Sequence, residues 1–91
     1  MTLTEACNIL HVDAGNNDQL IRSLIEAIPG YIETATGYPE GLQDDEPLCQ
    51  TVSGFLLTLW YYSDHAHDMK LQRTIDNLLK CLKIKAQGLE A

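Results

Sequence analysis

The stretch that most constrains this chain is Pro47–Tyr62, PLCQTVSGFLLTLWYY. It opens on Asp45-Glu46-Pro47, an acidic cap followed by a proline at a position where the missing N–H costs nothing. Leu48, Val52, Phe55, Leu59 and Tyr62 follow at helical spacing. A second stripe of Cys49, Leu56 and Trp60 lies beside the first, and Leu57 with Tyr61 widens it. Only Thr51, Gly54 and Thr58 leave a line without bulk. A helix this apolar must be covered on most sides, so it is read as the centre of a small helical domain. It is also short for a bilayer and carries Gln50, Thr51, Ser53 and Thr58. Gly54 costs about 1 kcal/mol against alanine, and a closely approaching helix would account for it.

The flanking segments supply what covers it. Thr2-Leu3-Thr4-Glu5 has the form of a capping box, and Leu3, Ala6, Cys7 and Leu10 give two helical turns that break at His11–Asn17. A second helix starts at Asn17 or Asp18 and runs to about Thr36. Its inward positions are Ile21, Leu24, Ile25, Ile28, Ile32 and Ala35, and Gly37 closes it. Pro29-Gly30 interrupts the pattern without shifting its phase, which predicts one kinked helix rather than two. Tyr38–Glu46 reads as an acidic loop with only Leu42 to pack. The last helix runs from Asp68 or Met69 to Ile84, with Leu71, Ile75, Leu78 and Leu82 inward. Residues 86–91 read as a disordered tail on a single domain of residues 1–85. The expected fold is all-α: a bundle of about four helices around the central apolar one. Its expected core includes Ile25, Ile32, Phe55, Leu56, Leu59, Trp60 and Leu78.

Composition narrows function mainly by exclusion. Three widely separated cysteines, Cys7, Cys49 and Cys81, form no CxxC pair and fall on apolar stripes, which suggests small hydrophobes in a reducing compartment. Met1–Val12 has neither a basic start nor a long apolar run, so no signal peptide is expected. The net charge of −7 is unevenly spread. Residues 1–50 hold nine carboxylates against the single Arg22, whereas Lys70–Lys85 holds five basic groups against Asp76. Such a chain suits broad nucleic-acid binding poorly but could pair front to back with another copy of itself.

No nucleophile–base pair, phosphate loop or paired carboxylates can be assigned from spacing, so neither an enzyme nor a cofactor is expected. Asp64-His65-Ala66-His67-Asp68 is the one tempting metal cluster. A closed site would need ligands from a second element, with His11 and Asp13 the only conceivable partners, and an exposed polar connection is preferred. Glu40, Asp44, Asp45 and Glu46 lack calcium-loop spacing. A helix-turn-helix is disfavoured because the helix before the basic one is almost wholly apolar.

The order of these pieces resembles the small head–tail connector proteins of tailed phages, the gp6-like or DNA-packaging family. The resemblance runs from Thr2-Leu3-Thr4-Glu5 and Leu10-His11-Val12-Asp13 through Asp18-Gln19-Leu20-Ile21, Leu24-Ile25-Glu26-Ala27 and Tyr31-Ile32-Glu33. It continues with Thr36-Gly37, an acidic loop and Leu59-Trp60-Tyr61, covering roughly residues 2–83. It implies a structural role in the virion neck, assembled in the bacterial host cytoplasm: a homo-oligomeric ring below the portal, continuing the DNA channel. The implied partners are the chain itself, the portal and tail-side completion proteins. DNA would pass without sequence-specific contact, and no membrane is involved. For the contact between copies, Tyr38 and Leu42 are expected to supply burial, and Asp44 and Asp45 to face Arg73, Lys80 and Lys83. The competing expectation is a small helical adaptor or regulator that binds one protein partner as a dimer.

Overall fold

The computed structural model describes residues 1–62 and 68–89. These form five helices and no strand: α1 (Leu3–Leu10), α2 (Asp18–Thr36), α3 (Glu40–Gln43), α4 (Pro47–Tyr61) and α5 (Asp68–Leu89). The fold is thus an all-α bundle, with four-residue α3 added to the four helices that periodicity reveals. Its extents are 45 × 28 × 18 Å. α4 packs on α1, α2 and α5, while α2 also meets α1, α3 and α5.

Local chemistry explains the helix starts. At α1 the capping box is complete, with Glu5 N–H donating to the Thr2 hydroxyl (3.1 Å) and Thr2 N–H to the Glu5 carboxylate (3.0 Å). Hydrogen bonding to the Glu5 carboxylate from the Thr2 backbone N–H, and then from the Thr2 side chain, holds that carboxyl below its ordinary pKa. α1 ends where His11 takes a left-handed conformation (φ 58°). At α4, Glu46 is the cap, accepting from Leu48 N–H, and Pro47 fills the first helical position. Asn17 precedes α2 without capping it; its amide instead donates to the Tyr61 hydroxyl at 2.7 Å. α2 passes through Pro29 as one helix, as the unshifted stripe predicts.

The buried set is Ala6, Cys7 and Leu10 of α1, Ile21, Ile28 and Ile32 of α2, Cys49, Val52, Leu56 and Leu57 of α4, and Ile75, Leu82 and Ala86 of α5, with Tyr38 between α2 and α3. Of the core residues expected from sequence, Ile32 and Leu56 lie in this set. Ile25, Phe55, Leu59, Trp60 and Leu78 are half-buried against it. Trp60 sits at the rim, edge-on to Tyr31 with ring centres 5.2 Å apart. The polar residues of α4 cost little, because their hydroxyls turn back onto its own carbonyls: Thr51 to Pro47, Ser53 to Cys49 and Thr58 to Gly54. α1 does lie over Gly54, but a methyl group there would meet the nearest Ile9 carbon at 3.7 Å, an ordinary contact. The glycine is therefore not demanded by a tight crossing.

Four expectations are corrected. Ala35 is exposed and Thr36 is buried instead, its hydroxyl donating to the Ile32 carbonyl at 2.7 Å and accepting from Tyr38 N–H. Cys81 is exposed, because it lies a full 100° around the helix from Leu82. The segment after residue 85 is helical as far as Leu89, and Ala86 is buried. Tyr38–Glu46 is not a bare loop: it contains α3 and buries Tyr38, Gln43 and Glu46 while Leu42 faces out. His65, His67 and Asp64 lie outside the described residues.

Candidate interaction surface

At the Gly37 turn (φ 82°) the chain reverses, carrying Tyr38 into the core and leading into α3. Gln43 then organises the junction. Its amide donates to the Pro29 carbonyl at 3.0 Å and to the Tyr38 carbonyl at 3.1 Å, tying α3 back onto α2. Glu46 does the same for α4 and α5: one carboxylate oxygen caps α4, and the other pairs with the Lys85 ammonium. The hydrogen bond from Lys85 holds the Glu46 carboxyl below its ordinary pKa and, reciprocally, Lys85 above its own. Cys49 lies nearby, and burial pushes its thiol up to about 11, so it is protonated and unreactive at neutral pH.

This junction changes the meaning of the charge asymmetry. In sequence the acidic front and basic back lie far apart. Folding brings the acidic segment around α3 against the C-terminal end of α5, and the Glu46–Lys85 pair is a front-to-back contact made within one chain. Around it the remaining charges point outward. Glu33, Glu40, Asp44 and Asp45 are exposed on one shoulder, and Lys70, Arg73, Lys80 and Lys83 are exposed along α5.

Comparison with family models, curated proteins and solved structures returns no match to this chain. The surface must therefore be read from its own residues. Of those proposed from sequence for a contact between copies, Leu42, Asp44, Asp45, Arg73, Lys80 and Lys83 are exposed, and Leu42 shares the acidic shoulder with Asp44 and Asp45. Tyr38 is corrected: it is 8% exposed and belongs to the core, so it offers nothing to a partner. Sequence reasoning missed Ile84, 70% exposed between Lys80, Lys83 and Lys85, although its absence from the inward stripe of Ile75, Leu78 and Leu82 was a usable signal. It also missed Gln43, and it read Glu46 as the cap of α4 without the pairing to Lys85; neither contact carries a periodic signature. Met69, 77% exposed, continues the outer face of α5 and lines an open trough with Gln72, Arg73 and Asp76. Among the described residues no group of three or more His, Cys, Asp or Glu could hold a metal ion, and no helix is long and apolar enough to cross a membrane.

Proposed function

We propose that this chain is a head–tail connector subunit of a tailed phage or prophage, acting structurally rather than as an enzyme. Copies form a ring that docks below the portal, in the virion neck, and continue the DNA channel toward tail-side completion proteins. The observation that carries the proposal is the ordered run of sequence pieces from Thr2-Leu3-Thr4-Glu5 to Leu59-Trp60-Tyr61. The small all-α fold and the separated exposed charges are compatible with it. In such a ring an excess of carboxylates would let DNA slide, because a basic lining would grip its phosphates. The contact between copies would be heterologous, each subunit offering an acidic and a basic surface, with a rotation that closes.

A two-fold adaptor is the second reading. It is favoured by the Glu46–Lys85 contact, which brings acidic and basic surfaces to neighbouring positions where two copies could exchange them reciprocally. Negative-stain microscopy of the full chain at high concentration and low salt separates the two. Closed rings of constant copy number with an open centre are expected. Particles that never exceed two copies at any concentration would sink the connector reading, and portal, protease and capsid genes upstream would strengthen it.

A further inference from the structure

The two exposed charged surfaces share an unexpected design. On the acidic shoulder, Leu42 is 45% exposed and is flanked by Glu40, Asp44 and Asp45. On α5, Ile84 is 70% exposed and is flanked by Lys80 and Lys83. Each is one large apolar side chain set among charges of a single sign, and the signs are opposite. Glu40 and Asp44 lie two residues either side of Leu42, while Lys80 lies about one helical turn before Ile84, on the same side of α5.

We infer that the Lys80–Ile84 face of α5 in one copy docks on the Leu42 shoulder of another copy of this chain. The inference deepens the self-assembly reading above and rests on it. A second copy is the occupant that the charges favour. With Glu33, Glu40, Asp44 and Asp45 on one surface and Lys70, Arg73, Lys80 and Lys83 on the other, every copy brings both halves of the contact. The chain also makes one such contact with itself, Glu46 to Lys85, at the seam between these surfaces. That pair leaves Lys85 occupied, while Lys80 and Lys83 point away from it around α5. A nucleic acid fits less well, because the chain carries a net −7 and the acidic shoulder lies close to the basic helix. Leu42 and Ile84 would supply the apolar centre of the contact, with charges at its rim setting orientation and encounter rate.

The exposed Cys81, three residues before Ile84 and on the same side of α5, makes the contact testable by cross-linking, since Cys7 and Cys49 are buried. A Gly41→Cys variant places a second thiol beside Leu42 without removing it, and nothing lies within 4 Å of the added side-chain carbon. After mild oxidation at low salt, full-length Gly41→Cys should give covalent multimers on non-reducing electrophoresis. They should disappear when Cys81→Ser is added and fade at about 1 M salt, where screening is nearly complete. Adding Lys80→Glu and Lys83→Glu should reduce the yield about tenfold, and Asp44→Lys with Asp45→Lys should restore part of it. A ladder beyond two copies supports both this contact and the ring. Products that stop at two copies keep the contact and remove the ring. Linkage no greater than in an Ala27→Cys control overturns the inference, as does linkage that survives Cys81→Ser. A face of α5 built for a foreign acidic protein gives the first of those two results.

Discussion

α4 and α5 are neighbours that solve opposite problems. α4 has 15 residues and buries Cys49, Val52, Leu56 and Leu57 against three other helices, turning even its hydroxyls back on itself. α5 has 22 residues, yet within the core it fully buries only Ile75, Leu82 and Ala86, and it leaves Met69 and Ile84 in solvent. Length and centrality are therefore unrelated here. α4 is fixed by what surrounds it, whereas α5 is held on its inner side by α2 and α4, with Leu71, Leu78 and Leu79 half-buried there, and by the Glu46–Lys85 pair, while its outer face is exposed.

That contrast is tested most severely by Leu57→Ala in α4, which should cost about 2–5 kcal/mol in chemical denaturation through lost burial and the cavity left behind. A loss below about 1 kcal/mol would mean that α4 is not the packed centre. Trp60→Ala, at the rim of the same helix, should cost about 2 kcal/mol, less than a fully buried aromatic, because only part of its surface and its edge contact with Tyr31 are lost. Gln43→Ala should cost about 1–2 kcal/mol by leaving the Tyr38 carbonyl without its side-chain partner. A value near zero would show that α3 is not fixed by that amide.

The pH dependence probes the seam of α5 itself. The Glu46 pKa is depressed on folding, so its contribution is present above the ordinary carboxylate range and is lost as pH falls through the depressed value. The Lys85 pKa is raised, so its contribution is present below the ordinary lysine range and is lost as pH rises through the raised value. The stability difference between wild type and Glu46→Gln should therefore be greatest near neutral pH and shrink at both extremes. Glu5 also titrates on the acid side, but it does so in both proteins and cancels. A difference that is flat with pH would remove the ion pair from the account. The smallest effect is expected on the outer face: Ile84→Ala should change monomer stability by less than about 0.5 kcal/mol while weakening self-association. A larger loss of fold stability would mean that Ile84 packs within its own chain.

Sequence made some of this plain and concealed the rest for physical reasons. The capping box at Thr2, the Glu46-Pro47 start of α4 and the uninterrupted phase of α2 through Pro29 are local rules, and each is met. For α4 the difficulty was an excess of apolar residues. With two adjoining stripes and no polar face, nothing in the periodicity says that Cys49, Val52, Leu56 and Leu57 lie innermost while Phe55, Leu59 and Trp60 lie at the edge. The acidic segment failed for the opposite reason. Pro39, Gly41 and a run of carboxylates look like a solvated loop, and four residues of α3 are too few to show a period. What makes that segment structural is the reach of Gln43 to Pro29 and of Glu46 to Lys85, contacts that only the fold creates. The candidate surface was legible in its charges, at Asp44, Asp45, Lys80 and Lys83, and in Leu42, whereas Ile84 was signalled only indirectly, by falling outside the inward stripe of Ile75, Leu78 and Leu82.

The bond from the Tyr62 hydroxyl to the Leu10 carbonyl, 2.8 Å long across 52 residues, has a consequence in time. At ribosomal rates of about 5–20 residues per second, Tyr62 is added some 3–10 s after Leu10. Through that interval α1 lacks α4, which later covers it, and Ala6, Cys7 and Leu10 have only the emerging α2 to shelter against. A nascent chain of this protein thus presents its first apolar helix as an unclaimed surface for seconds, long enough for a chaperone or a neighbouring nascent chain to find it first.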